Sequence, residues 1–438
     1  MAIAQAPLLA PTAGAPSAHR DTGIDLVRAF CITAVVLLHA IMVGVTIGDV
    51  GPVFANASEG AWWIVPVSWM LQVMPLFFII GGFSGFLAHH RARQRGATAS
   101  AFVAGRVHRL LRPAVITIAV AGASLALLLA AGVGADLVAT AGFRYGQPLW
   151  FLGVFLLCQA LLPAMSALHR RAPLRTVGLL VAAALCVDAV RGATGLDAVG
   201  FVNLGFVWLA LQQLGFFLAD GTVDALSRRT RAVVGIAALA ALVVTTATGV
   251  YSPDLIESIN PPTGVLLLVG AVHLSALSLV RGPLTALSAR PAAAAFSSFV
   301  NRRAMTVYLW HMPVLLAMAG MSALLALAGW MHLPALGSAA WWLGRPLWLV
   351  TALLFTALVA VVFAKAETAA PSLTALAPGR VARAVAIGAA GVVLLLVAGT
   401  TPLTAAVAVT TGVIALRLAS APTSSPSQRP VGLSPVVA

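Results

Sequence analysis

Three residues near the start of the chain, Asp25, Arg28 and His39, place an acid, a cation and an imidazole within the apolar stretch IDLVRAFCITAVVLLHA. Asp25 and Arg28 are three apart, so on a helix they share a face and can pair. That pair fits an interfacial salt bridge anchoring the helix, or an acid that orients a working guanidinium. His39 follows Arg28 by eleven positions, roughly 16 Å along a helix axis, which puts it beyond easy reach of interfacial water. An imidazole there is either a neutral packing group hydrogen-bonded across helices or a base that takes a proton from a substrate.

The element that must carry these residues is a membrane helix. Of the 438 residues, 61% are hydrophobic and 9% charged, against about a quarter charged in soluble domains. Apolar runs of about twenty residues recur, the length that crosses a hydrocarbon core of about 30 Å. They fall near 24–48, 62–88, 111–133, 147–168, 176–191, 201–219, 232–250, 263–280, 304–329 and 341–364. The apolar stretch 384–416 is too long for one untilted helix and long enough for a tight hairpin. Gly399, Thr400, Thr401 and Pro402 at its middle favour the hairpin, and one additional C-terminal helix is the other solution. The expected fold class is therefore all-α, an integral membrane bundle of about 10–12 transmembrane helices. Residues 1–20, rich in Ala and Pro, and 418–438, rich in Ser and Pro, are expected to be disordered tails.

The net charge of +14 does not point to nucleic acid, because the basic residues lie between apolar runs and form no stripe on a soluble domain. Membrane topology accounts for them, since cytoplasmic loops retain Arg and Lys. Loop 89–112 carries Arg91, Arg93, Arg95, Arg106, Arg109 and Arg112; loop 169–175 carries Arg170, Arg171 and Arg175. Loops 220–231, 281–303 and 365–383 add ten more basic residues on the same side, whereas the opposite loops carry only Arg144, Arg191 and Arg345. The amino terminus is thus expected in the cytoplasm. All basic residues but Lys365 are arginine and alanine is abundant, a composition that suggests a GC-rich bacterium and hence its inner (plasma) membrane.

Cys31, Cys158 and Cys186 lie in apolar runs without CxxC spacing or a His cluster, so neither a disulfide framework nor a metal site is expected. Gln72, Gln159, Asn203, Gln212 and Gln213 read as bridges between helices, with some available to an acceptor pocket. Asp188 and Arg191, three apart, are expected to pair with each other. Trp62, Trp63, Trp341 and Trp342 fall at the expected outer boundaries.

Arg28 and His39 form an Arg-x10-His pattern inside Asp-Leu-x-Arg, and this resembles the opening helix of the membrane acyltransferase family 3. Further segments follow in order. Met74-Pro75-Leu76-Phe77-Phe78-Ile79-Ile80-Gly81-Gly82-Phe83 is similar to that family's second helix, and Arg106-Val107-His108-Arg109-Leu110-Leu111-Arg112-Pro113 to the basic stretch opening its third. Leu149-Trp150-Phe151-Leu152 resembles a Leu-Trp-Phe-Leu segment, and Tyr308-Leu309-Trp310-His311-Met312-Pro313 a late Tyr-Leu-Trp-His-x-Pro signature. The resemblance spans roughly residues 20 to 365. Gly81 stands where the family usually has Ser, so no seryl-enzyme can form at that position.

The resemblance implies a membrane acyltransferase domain over 21–365. It would move an acyl group, often acetyl, from acyl-CoA to a hydroxyl of a carbohydrate, lipid-linked sugar or metabolite. His39 would then be the general base or a transient acyl carrier. Arg28 would hold donor oxygens or stabilise developing charge, oriented by Asp25. Arg106, Arg109 and Arg112 would bind the polyanionic donor, or simply follow topology. His311, Trp150, Tyr308 and Gln72 fall to the substrate or to the layer behind the catalytic groups. The competing function is a transporter or flippase of a lipid-linked or small apolar substrate, against which stands the lack of a central acid in any span.

Overall fold

The computed structural model describes residues 21–49, 51–365 and 376–420; of the two expected tails, 1–20 and 421–438 lie outside the described residues, while Leu418, expected to begin the second, ends the last helix. Among those described, eleven helical segments are long and apolar enough to cross a membrane, and a shorter apolar helix, Pro402–Leu418, follows them. The protein is an all-α integral membrane bundle.

Helix α1 (Thr22–Met42) starts at Asp21, whose side chain accepts the Ile24 N–H at 2.9 Å and so satisfies one orphan donor of the first turn. Arg281 grips the same carboxylate at 2.7 Å. The span expected over 24–48 stops at Met42. The β-branched Val43, Val45, Thr46 and Ile47 with Gly44 and Gly48 go extended instead, forming β1 (Val43–Gly48), which pairs antiparallel with β2 (Gly51–Asn56). This hairpin is the one sheet among the described residues.

The second passage is broken. Helix α2 (Ile64–Leu71) and helix α3 (Met74–Gln94) are separated at Gln72, whose ψ of 67° leaves the helical region. Pro75 explains the break, because a proline in the first turn supplies no N–H to a preceding turn and starts a new helix. Helix α4 (Ala99–Ala130) is capped by Thr98 and runs through Pro113. Helices α5 (Ala135–Gly146) and α6 (Trp150–Arg171) return, and α7 (Pro173–Thr194) and α8 (Asn203–Ala219) follow. α3 and α8 cross where Gly82 faces the Gln212 backbone and Gly215 faces the Ile79 carbonyl, with no room for a Cβ on either. Small residues permit such close backbone approach in a membrane, where packing drives association.

After the short α9 (Thr222–Ala225) come α10 (Arg228–Ala247), α11 (Val265–Ser288), α12 (Pro291–Arg302), α13 (Ala304–Leu327) and α14 (Ala339–Val362). α12, in a stretch read from sequence as a basic loop, packs Phe296, Phe299 and Val300 against α1. The stretch 384–416 holds two helices, α15 (Pro378–Val397) and α16 (Pro402–Leu418), turned at Gly399 (φ 74°) and closed by a capping box between Thr401 and Thr404. Gly388 of α15 abuts Leu111, and Gly412 of α16 abuts Val115, so the pair leans on α4.

Three of the five amides expected to bridge helices do so, whereas Gln72 reaches the loop carbonyl of Leu255 and Gln159 is buried with its Oε1 without a partner. Gln212 donates to the Cys158 carbonyl (3.1 Å), Gln213 to that of Met165 (3.2 Å), and Asn203 to that of Ala184 (3.2 Å). The Asp188–Arg191 pair does not form. Arg191 turns instead to Asp197 at 2.8 Å. Asp188 accepts from Asn203, from the Tyr251 hydroxyl and from the Gly264 N–H, three donors that together outcompete one flexible guanidinium. Cys31, Cys158 and Cys186 are all free thiols, and no cluster of metal-ligating side chains occurs among the described residues.

Candidate active site

The Asp25–Arg28 pair lies in the first two turns of α1, with an N–O distance of 2.8 Å. A third residue completes it. Asn301, at the end of α12, accepts from Arg28 Nε at 2.6 Å and donates to the Asp25 backbone carbonyl at 2.7 Å. Its amide orientation follows from these partners, since a carbonyl can only accept and the guanidinium N–H can only donate. Sequence inspection missed Asn301, because a single amide beside Arg302 and Arg303 carries no motif.

His39 sits in the fifth turn of the helix, well beyond Arg28, and lines a cavity of about 220 Å³. Its Nδ1 lies 2.8 Å from the Val35 carbonyl. The carbonyl requires a donor, so Nδ1 carries the hydrogen and Nε2 keeps its lone pair. His311 of α13 stands beside it, with ring centroids 4.9 Å apart and planes at 57°. It repeats the same arrangement, since Nδ1 hydrogen-bonds the Tyr308 carbonyl, while Nε2 is buried without a partner. His311 is fully buried; His39, in front of it, is the accessible ring of the two.

Trp150, Tyr308 and Gln72 line the same cavity as His39. Trp150 stacks on Trp208 at 5.4 Å, and the Tyr308 hydroxyl donates to the Pro148 carbonyl at 2.6 Å. Gln72 arrives through the α2–α3 break, its Nε2 fixed on the Leu255 carbonyl and its Oε1 without a partner. Gly81 has its missing Cβ 3.2 Å from Phe155 Cε2, a ring that also lines the cavity. A serine there would press on that wall.

The three arginines of α4 do not act as one patch. Six helical residues turn through about 600°, so Arg112 points about 120° away from Arg106. Arg106 is half-buried, lies over the Phe102 ring at 4.8 Å and is in electrostatic range of Arg28 and Arg109. Arg109 is exposed, and neither it nor Arg112 lines the cavity. Arg28 likewise stays outside the lining, one turn before Ile32, which belongs to it.

The far end of α1 is held by α14. Arg345, only 6% exposed, donates to the Val43 carbonyl at 2.9 Å, and Trp348 donates to the Ala40 carbonyl at the same distance. These bonds clamp the turn that follows His39. Arg345 was read from sequence as a loop residue on the outer side; its burial in the bundle was not visible there.

Together these features define a polytopic membrane protein with an imidazole facing an internal cavity and a paired guanidinium further along the same helix. The sequence matches the acyltransferase domain of acyltransferase family 3 over residues 21–365, and the chain belongs to that family. It is a membrane acyltransferase. No curated protein and no solved structure matches it.

Proposed function

We propose that this chain transfers an acyl group, acetyl in the first instance, from acyl-CoA to a hydroxyl-bearing acceptor, with His39 as general base. The observation that carries the proposal is the Nε2 lone pair of His39, exposed to the cavity by the Nδ1–Val35 hydrogen bond. In this reaction Nε2 takes the acceptor's hydroxyl proton as the oxygen attacks the thioester carbon. The C–O bond forms, the C–S bond breaks, and the proton passes from Nε2 to the departing thiolate.

Arg28, held from both sides by Asp25 and Asn301, is the anchor for donor phosphate, with Arg106 beside it. The separation along α1 between Arg28 and His39 suits an extended pantetheine arm. The arginine-rich end of the bundle faces the cytoplasm, where acyl-CoA is made, and the membrane is a bacterial plasma membrane. Arg109 and Arg112 serve to draw the polyanion toward that face.

Membranes containing the His39→Ala protein, correctly inserted, should transfer label from radiolabelled acetyl-CoA at least about 100-fold more slowly than wild type, the scale of a general base. Near-normal transfer removes His39 from the chemistry. A carrier reading, in which solute uptake proceeds without any acyl-CoA, is favoured by no single feature of the cavity.

A further inference from the structure

The acyltransferase domain ends at residue 365, yet the chain goes on to build α15 and α16, and both helices pack closely on that domain. Besides the approaches of Gly388 and Gly412 to α4, a Cβ on Gly122 of α4 would meet the Cβ of Ala405 at 2.6 Å. The tip of the hairpin reaches further in. Thr400, buried in the turn between the two helices, lays its carbonyl where a Cβ of Gly142 would stand, and its hydroxyl oxygen lies 2.8 Å from the corresponding point on Gly146. The Leu395 carbonyl lies 3.6 Å from that same point, and Val392 Cγ1 lies 3.4 Å from the Cβ position of Gly153. Two glycines one turn apart at the end of α5 thus form a seat for a residue from outside the domain.

That seat supports a wall of the chamber. Gly146 is followed at once by the 3-10 turn Gln147–Leu149 and then by Trp150, and Gln147, Pro148 and Trp150 all line the cavity that His39 lines. The Pro148 carbonyl accepts the Tyr308 hydroxyl at 2.6 Å, and the Tyr308 carbonyl accepts the His311 Nδ1 hydrogen. His311 in turn packs on His39. The turn is therefore held by Tyr308 at Pro148 and by Thr400 and Leu395 at Gly146, and a continuous run of contacts joins Thr400 to the imidazole. The Thr400 hydroxyl has no hydrogen-bond partner, so what the side chain supplies is volume. Interiors packed to crystal density pass the removal of one group on to their neighbours. We infer that Thr400 is a positioning residue for acyl transfer: seated on Gly142 and Gly146, it fixes the Gln147–Trp150 wall and, through Pro148 and Tyr308, the His311–His39 pair. This rests on the acyltransferase reading given above and adds the C-terminal hairpin to its working parts.

The test uses full-chain variants. Transfer of label from radiolabelled acetyl-CoA is measured in native membranes over a range of donor concentrations, per inserted protein, and deuterium uptake over 142–152 is measured in lipid nanodiscs. Thr400→Val keeps the volume and removes only an unpartnered hydroxyl, so rate and uptake should stay near wild type. Thr400→Ala empties the seat: uptake should rise and the maximal rate fall by about ten-fold, with donor KM unchanged because Arg28 lies toward the other end of α1. Gly146→Ala, whose Cβ collides with the Thr400 hydroxyl, should lose a similar amount. The double variant of Gly146→Ala with Thr400→Ala should regain about three-fold over the poorer single one, since each change makes room for the other. Wild-type uptake and rate in Thr400→Ala overturn the inference. Raised uptake at an unchanged rate does so too, because the hairpin would then be scaffold alone, as does a double variant no better than its worse parent. A wild-type chain that transfers no label removes the acyltransferase reading and the positioning role with it, while the uptake differences would still report the seat.

Discussion

The imidazoles of His39 and His311 stand 4.9 Å apart, each with Nδ1 tied to a carbonyl of its own helix and each with Nε2 unprotonated. Two helices, α1 and α13, are thereby joined through rings that present lone pairs rather than hydrogens. The burial differs: the front ring meets the cavity and the rear ring is sealed. On the proposed mechanism the front ring is the one that meets substrate, and the rear ring would act by fixing the position of the front one.

His311→Ala should therefore lower kcat by about ten-fold or more, the cost of a small misplacement of a catalytic group, while the KM for donor stays near wild type. His311→Phe, which refills the space without a ring nitrogen, should recover part of the loss. If the phenylalanine variant is as poor as the alanine one, the lone pair of His311 matters and packing is not the explanation.

Asn301 supplies the second prediction. It holds Arg28 by an amide oxygen and α1 by an amide nitrogen, so Asn301→Ala removes the bond on Nε and leaves the hold of Asp25 on the other side of the guanidinium. A hydrogen bond to a charged group contributes about 1.5–3 kcal/mol, which corresponds to roughly ten- to 150-fold in donor KM, with kcat much less affected. Steady-state kinetics over a range of acetyl-CoA concentrations separates the two. An unchanged donor KM would detach Arg28 from donor binding.

Much of this arrangement is legible in the sequence, and the reasons are physical. Apolar length and arginine placement report directly on the solvent a segment meets, so the helical bundle could be read without tertiary information. The Arg28–His39 spacing lies within one helix, where sequence separation is distance. Asn301, Arg345 and Phe155 were opaque because each acts across helices far apart in the chain, and hydropathy carries no record of such pairings. The Asp188–Arg191 expectation failed for the same reason, since the competing donors come from Asn203, Tyr251 and Gly264. The α1 boundary was missed because Val43–Gly48 is apolar enough to continue a span yet β-branched and glycine-containing enough to leave it.

The α3–α8 crossing makes a prediction about stability that is independent of catalysis. A Cβ on Gly82 or Gly215 meets backbone atoms of the other helix, whereas one on Gly81 meets only the edge of the Phe155 ring. Overpacking of a tight contact costs about 1–3 kcal/mol even when side chains can yield, and a backbone yields less. Gly82→Ala and Gly215→Ala should each lower the thermal unfolding midpoint in detergent well below that of Gly81→Ala. Gly81→Ser should fold but shift acceptor KM, because its hydroxyl displaces Phe155 into the chamber. Equal midpoints for Gly81→Ala and Gly82→Ala would mean that the two helices are not in the close contact described.

Arg345 provides the last test, because its burial is costly and its partners are backbone. A guanidinium at 6% exposure has lost most of its hydration, and the carbonyls of Ala40 and Val43 at the negative end of the α1 dipole repay part of that. Trp341 covers its face at 3.8 Å. Arg345→Met keeps the stem and removes both the charge and the donors, so the desolvation cost and the hydrogen bonds disappear together. Net stability should then change little, with a midpoint within a few degrees of wild type. Locally the outcome is different: the Val43 carbonyl loses its donor, and the turn that carries the Val43 N–H bond to the His39 carbonyl loosens. Deuterium uptake over 36–48 should rise, and acyl transfer should fall by about ten-fold as His39 loses its fixed position. A variant with wild-type uptake and reduced transfer would require Arg345 to touch the reaction directly, and one with increased uptake and full activity would show that His39 does not depend on this clamp.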